Sequence, residues 1–404
     1  MREIAPLAAA LAAVLAGAVP ARAADAPQPP LDLELVQSAP EGTGLADPQL
    51  REAAKVWPEM IDRAGRGIDL EEFYATGQAG EALDATLAAL KRAGERGVRI
   101  RLLLEGKMRK ADADTLPELE KIPNLSVRFL DWAKVQGAGI IHAKFFVVDG
   151  REAYIGSQNL DWRSLSQIHE MGLRVSEPSV VAGASSIFAQ DWAAAALVAD
   201  GKPVPALRTA PVEVSSAARV ALVASPWAWD PEGVPDSQSA LVGLVASAKE
   251  RLDIQVMEYA PLEYGGGYYP VIDDALRAAA ERGVKVNLLV SDWNLSKSEL
   301  PWLKSFALVP NVTVKVISIP QPKGRFIPYA RVAHSKYMVV DGKTLWLGTS
   351  NWQGGYMDNS RNLELIVREP ALAAEALAVH RRLWDSPFTK ALDVSKAYQP
   401  PRTH

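Results

Sequence analysis

The sequence predicts an α/β protein built from two copies of one unit, with strands and helices alternating in each so that a sheet is covered on both faces. Three repeated stretches predict it. "ERGVRIRLLLEG" from Glu95 returns as "ERGVKVNLLVSD" from Glu281, "IPNLSVRF" from Ile122 as "VPNVTVKV" from Val309, and "HAKFFVVD" at 142–149 as "HSKYMVVD" at 334–341. "GIDLEEFYA" from Gly67 and "RLDIQVMEYA" from Arg251 add a weaker pair. These landmarks keep one order, at offsets of about 184 to 187 and, for the last motif, 192. Constant order and offset mark a duplication.

The elements follow in order. Residues 1–23 precede both copies: Arg2, the apolar run Leu7–Val19 and the small-x-small stretch Ala21-Arg22-Ala23 have the layout of a secretory signal. The run is too short to span a bilayer. The expectation is an exported chain, periplasmic or secreted, with a soluble mature part because no second apolar run of transmembrane length follows. Each copy then opens on a strand, Ile68–Tyr74 and Leu252–Tyr259. A helix follows, Ala82–Ala93 with Leu83, Leu87 and Leu90 on one face, and Val271–Ala280 in the second copy. Gly97 and Gly283 are placed to end those helices as C-cap glycines. The runs "VRIRLLL" and "VKVNLLV" are the next strands, and a Pro-Asn turn leads each copy into another. Between the copies, residues 199–217 carry the proline, serine and polar content of a linker. The halves are therefore 32–198 and 218–395.

Composition narrows the chemistry. The chain of 404 residues has 48% hydrophobic residues, enough for a sizeable core, and no cysteine. Disulfides and thiolate nucleophiles are excluded. The net charge of −4 offers no global basic field, so an anionic substrate needs a local cluster of cations.

Each copy ends in the same motif. His142-x-Lys144, four residues, Asp149, six residues, then Gly156-Ser157-x-Asn159; and His334-x-Lys336, Asp341, Gly348-Thr349-x-Asn351. The apolar runs after each lysine read as buried strand, so His and Lys, two apart, project from one face. Facing copies would gather two histidines, two lysines and two asparagines at one point. Ammonium and amide donors suit the nonbridging oxygens of a phosphate under attack. One neutral imidazole can attack phosphorus while the other, protonated, delivers a proton to the leaving oxygen. The lysines neutralise the charge, so no metal or other cofactor is required. His142 is preferred as nucleophile and His334 as acid, and the pseudo-twofold symmetry leaves the opposite assignment open. Glu170, eleven residues beyond Asn159, and Glu364, thirteen beyond Asn351, are each placed to accept the other ring proton of a histidine and fix its tautomer. Asp149 and Asp341 follow four apolar residues and precede a glycine turn, so they read as structural. Ser157, Thr349 and Arg331 are candidate substrate contacts, Arg331 with the alternative of pairing with an acid. "GGGYY" at 265–269 is either a base-stacking loop or a flexible turn. His169 reads as a polar neighbour of Glu170, and Trp162 and Arg163 as packing.

Two His-x-Lys-x4-Asp motifs with Gly-Ser/Thr-x-Asn tails resemble the signature of the phospholipase D superfamily. "GSQNLDWRSLSQIHEMG", "IPYARVAHSKYMVV", "GTSNW" and "RLWDSPFTK" look like its lysosomal branch, which contains phospholipase D3 and phospholipase D4, across roughly residues 32 to 395. The resemblance implies a duplicated phospholipase D-type α/β/α sandwich whose halves share one active site, a phosphohistidine intermediate, and 5′ exonuclease action on single-stranded DNA or RNA. The alternative it implies is a phospholipase D or phosphatidyl transferase acting on phospholipids. A cardiolipin synthase is disfavoured, because those enzymes usually carry membrane helices. Residue by residue it carries over His142, Lys144 and Asn159, then His334, Lys336 and Asn351, with Asp149 and Asp341 bracing the fold. The branch has a transmembrane anchor and disulfides, whereas this chain has a signal-like leader and no cysteine. Both half-sites lie in one chain, so one copy completes the site, and the oligomeric state is left open.

Overall fold

Short runs of Val, Leu and Ile, cut by glycine and Pro-Asn turns, become strands, and the amphipathic stretches between them become helices. A computed structural model describes residues 31–205, 212–263 and 266–404. The signal-like segment 1–23 and part of the 199–217 connection lie outside the described residues. The first half runs β1 (Leu33–Ser38), α1 (Ala53–Asp62), β2 (Gly67–Glu72), α2 (Asp84–Glu95), β3 (Arg99–Glu105), β4 (Leu125–Leu130), β5 (Phe145–Val148), β6 (Glu152–Gly156), β7 (Glu170–Val175) and α3 (Pro178–Ala199). The second runs β8 (Val220–Ser225), α4 (Ser237–Ser247), β9 (Arg251–Val256), α5 (Val271–Glu281), β10 (Lys285–Ser291), α6 (Leu300–Ala307), β11 (Val312–Ile317), β12 (Lys336–Val340), β13 (Thr344–Gly348), β14 (Asn362–Val367), α7 (Pro370–Trp384) and β15 (Thr389–Ala391). Gly97 and Gly283 follow α2 and α5 with φ of 87° and 92°, the left-handed turn that stops a helix.

The two sheets have one topology. The first is ordered β1-β7-β6-β5-β2-β3-β4, with the two-residue strand Arg51–Glu52 outside β1; the second is β8-β14-β13-β12-β9-β10-β11, with β15 outside β11. In each, the three strands joined by helical crossovers are parallel (β2, β3, β4 and β9, β10, β11) and the other numbered strands pair antiparallel, while the short Arg51–Glu52 strand runs parallel to β1. The register repeats as well: Gly156 faces Gly172 as Gly348 faces Glu364, and Ile68 faces Val148 as Leu252 faces Val340. A Cβ on Gly348 would lie 2.1 Å from Cγ of Glu364, so the motif glycine is demanded by the neighbouring strand.

All four residues of β5 are buried, because both faces of the sheet are covered. Phe146 and Val148 pack with Ile68, Leu70 and the apolar sides of α1 and α2. By the period of two, Phe145 and Val147 turn to the opposite face, where α3 lies against β2, β4, β5 and β6. α3 also touches β8 of the second sheet, and α7, its counterpart, touches β1 of the first. The sequence leads one to expect no further apolar run of transmembrane length, yet α3 meets that length and composition with a mean hydropathy of 1.2. Its sheet-facing residues, among them Val180, Val181, Ile187 and Phe188, are buried, and exposed alanines such as Ala182, Ala189 and Ala193 add to its apolar character.

Asp149 and Asp341 sit at the far ends of β5 and β12, away from the motif histidines. Asp149 accepts from the backbone N–H groups of Gly65, Arg66 and Gly67 at 2.9, 2.7 and 2.9 Å. Asp341 does the same for Lys249, Glu250 and Arg251 at 2.9, 2.8 and 2.9 Å. Partial burial pushes both carboxyls up, but the three N–H donors outweigh it and hold each below the usual carboxylate range. Each therefore ties the turn before the central strand to the motif. Asp149→Ala is expected to cost about 1.5–3 kcal/mol in urea unfolding. With the folded pKa below the unfolded one, this contribution is complete above about pH 4 and is lost as pH falls through the folded value. Unfolding midpoints across pH 2–7 check both statements.

Candidate active site

The two histidines are held by backbone from the opposite half. The N–H of His142 donates to the Arg361 carbonyl and that of Arg361 to the Ile140 carbonyl, both at 2.9 Å. One symmetry step away, the N–H of His169 donates to Val332 and that of His334 to His169, again at 2.9 Å. The bridges Ile141–Arg361 and His169–Ala333 are thus related by 192 residues on both sides. His142 and His334 precede the strands β5 and β12 and are not part of them, so cross-half pairing, more than strand pleat, sets their backbone. His169, expected as a polar neighbour, is fully buried under this bridge. Its Nδ1 lies 3.1 Å from the Ser335 hydroxyl, and burial lowers its pKa to about 4.

The side chains behind the histidines break the symmetry. Nδ1 of His334 lies 2.8 Å and 3.0 Å from the two carboxylate oxygens of Glu170. Nδ1 of His142 lies 3.0 Å from Oδ1 of Asn362. Glu364, expected in that role, is not there. It accepts from the hydroxyls of Ser237 and Ser350, because Glu364 stands two positions beyond the true counterpart of Glu170, on the same side of β14 but one full strand repeat farther along. Ser157 and Thr349 are corrected too. Ser157 Oγ donates to the Met171 carbonyl at 3.2 Å and accepts from the Met171 N–H at 3.1 Å. Thr349 Oγ1 donates to Asn362 Oδ1 at 2.8 Å. Both are fully buried behind the histidines' partners and so do not face substrate. Arg331 is likewise away from the cavity, donating at 2.8 Å to the Glu41 carbonyl, with the Glu41 carboxylate its neighbouring charge.

Both histidines line one cavity of about 1020 Å³, with Asn159 and Asn351 beside them. Asn351 Nδ2 donates to Glu258 at 3.3 Å, and the Oδ1 atoms of both asparagines are buried without a hydrogen-bond partner. Lys144 and Lys336 lie beneath, each donating to the carbonyl of its own histidine, Lys336 at 2.5 Å. Burial and the second lysine lower Lys144 far below the usual range, while Glu72 and Glu170 pull it back. Burial lowers Lys336 to about 7 against the pull of Glu170 and Glu258. Burial raises Glu170 and Glu258 to about 7 each, with Lys336 opposing both. Burial and the two lysines hold both histidines well below their ordinary value. At rest a second proton is thus disfavoured on both imidazoles, and burial disfavours the charged form of the acids and lysines around them. An arriving phosphate anion favours their protonated forms.

Sequence reasoning missed Asn362, Glu72 and Glu258, and did not foresee that Arg163 reaches the cavity wall while holding Asp161 in a two-oxygen pair. Trp162 packs in the core as expected. The described part of the "GGGYY" stretch, residues 266–269, stays off the cavity wall: Tyr268 stacks on Trp302 at 5.6 Å, and Tyr269 is buried with its hydroxyl on Gln238.

The family described as "Cardiolipin synthase, PLD-like domain" matches residues 58–192 and again 241–384. The chain is 33% identical to phospholipase D Z of Dictyostelium discoideum, over 82% of this chain and 85% of that one. It is 31% identical to the 5'-3' exonuclease PLD3 of Homo sapiens, over 91% and 82%. Its backbone matches the phosphatidylserine synthase of Haemophilus influenzae with a TM-score of 0.58 at 12% identity, covering 84% of this chain and 85% of that structure. That last likeness is one of fold.

Proposed function

The chain belongs to the phospholipase D superfamily, on the branch of the 5'-3' exonuclease PLD3 proteins, and from that premise we propose that it is a metal-independent 5′ exonuclease on single-stranded DNA or RNA. It is a phosphodiesterase of that superfamily; the substrate is our reading. Two imidazoles on one cavity carry it. One attacks phosphorus through Nε2, forming an N–P bond as the P–O bond to the leaving oxygen breaks. The other gives its proton to that oxygen. Water then attacks phosphorus, its proton passing to the second imidazole, and the N–P electron pair returns to the first. Lys144 and Lys336, beneath the histidines, are the cations we assign to the charge that builds on the nonbridging oxygens.

The cavity wall supports nucleic acid. Phe73, Tyr74, Trp293, Tyr329 and Tyr356 present aromatic surface beside Lys107 and Arg163, the pairing of stacking faces and cations that holds single strands. The same wall has Met108, Ile140, Ile168 and Met257, which favours a phospholipid as the second reading. We further propose that residues 1–23 direct export, and that 199–217 link a half at 32–198 to one at 218–395.

The test is a side-by-side assay in chelator, at pH 5 and 7.5, of a 5′-hydroxyl single-stranded oligonucleotide and phosphatidylcholine vesicles. Stepwise shortening of the oligonucleotide from its 5′ end is the expected result. Choline release with an intact oligonucleotide moves the function to lipids, and loss of all activity in chelator contradicts metal independence.

A further inference from the structure

We infer that Asn362 is a positioning residue: its fixed side-chain oxygen commits Nε2 of His142 to nucleophilic attack and leaves proton delivery to His334. The inference rests on the phosphodiesterase reading above.

The amide cannot turn over without loss. Its Nδ2 donates to the carbonyls of Tyr356 and Ser360 at 3.0 and 3.4 Å. Its Oδ1 accepts the Thr349 hydroxyl proton at 2.8 Å, while Thr349 Oγ1 accepts the Leu363 N–H at 3.2 Å. The atom 3.0 Å from Nδ1 of His142 is therefore an acceptor, and Nδ1 must carry the proton. In a neutral ring, the lone pair then sits on Nε2.

The groups around His142 keep it neutral. Lys144, Lys336 and His334 face it electrostatically, all disfavouring a second proton; the two lysines act on His334 in the same sense, so what tells the rings apart is the partner behind each. The rings of Phe73 and Tyr356 stand edge-on at 5.4 and 4.9 Å, and Glu72 acts on Lys144 from beyond. Asn362 adds an oxygen without a full charge. His334 has the Glu170 carboxylate in the equivalent place, and a carboxylate stabilises an imidazolium where an amide does not. The pseudo-twofold axis relates the backbones at 170 and 362, and the residue types there divide the labour.

Asn362→Asp tests this through kcat/KM against pH, on the diester the parent turns over. A carboxylate behind His142 should move the acid limb up by about 1–3 pH units and leave the basic limb in place. Asn362→Leu should lower kcat at least about 10-fold with KM little changed. A shift of the basic limb alone makes His142 the acid and overturns the inference, as does an unmoved profile. If circular dichroism shows that the Asn362 variants do not fold, Thr349→Val supplies the readout: a fall in kcat without a change in KM supports the role, and unchanged kcat overturns it. His142→Ala and His334→Ala run alongside. If both turn over like the parent, the phosphodiesterase reading itself has failed; if they are inactive while Asn362→Asp matches the parent, only the role of Asn362 falls.

Discussion

Replacing His142 by alanine is expected to abolish phosphodiester turnover, and replacing His334 by alanine to lower it by about 10²–10⁴-fold, roughly 2.7–5.5 kcal/mol of transition-state stabilisation. The losses differ because the roles differ. Without His142 no N–P bond forms, whereas without His334 the leaving oxygen can still depart as an anion or take a proton from water. Both side chains end at the cavity, outside the two apolar core clusters. The variants should therefore melt close to the parent, and activity should fall through kcat. An unfolded variant would lose signal in circular dichroism, which separates a structural loss from a chemical one.

Arg361→Met is expected to destabilise the folded chain by about 3–5 kcal/mol, the largest stability effect we anticipate. The guanidinium is fully buried where the halves meet. It donates to both oxygens of Asp191 on α3 at 2.7 and 3.1 Å, to Asp230 at 3.0 Å, and to the carbonyls of Ser225 and Trp229 at 3.0 and 2.9 Å. Removing it leaves two buried carboxylates without their cation, and Glu71 beside Asp191 adds like charge. Burial already pushes all three carboxyls up, and without Arg361 they rise further. Groups with raised folded values destabilise above their unfolded pKa, so this variant should recover part of its loss as pH falls, opposite in sign to Asp149→Ala. Urea midpoints at pH 7 and pH 4.5 check the magnitude and the sign.

The duplication was legible because strand and helix periods recur with the motifs that end them, and the described elements keep those offsets. The histidines, lysines and asparagines were legible as a set because motif spacing survives without knowledge of the loops. The partners behind the histidines were legible only by half. A search for a carboxylate leads to Glu364, but the motif's own offset of 192 carries Glu170 onto Asn362, which occupies the position. Ser157 and Thr349 misled because a hydroxyl next to a motif asparagine suggests a phosphate contact, while in the structure those hydroxyls turn to the neighbouring strand. Arg361 with Asp191 and Asp230 was not legible at all: the partners lie 170 and 131 residues away in the chain, and no local pattern links them.

The central claim is that the halves give one histidine each to a single site, with His142 as nucleophile and His334 as acid. A chromogenic diester with p-nitrophenolate as leaving group needs no proton for its first step, so it isolates the nucleophile. On rapid mixing, His334→Ala should release about one equivalent of p-nitrophenolate per chain in a burst and then stall, with a phosphoryl group on His142 located by mass spectrometry. His142→Ala should show no burst. A burst from His142→Ala, or a label on His334, would contradict the assignment.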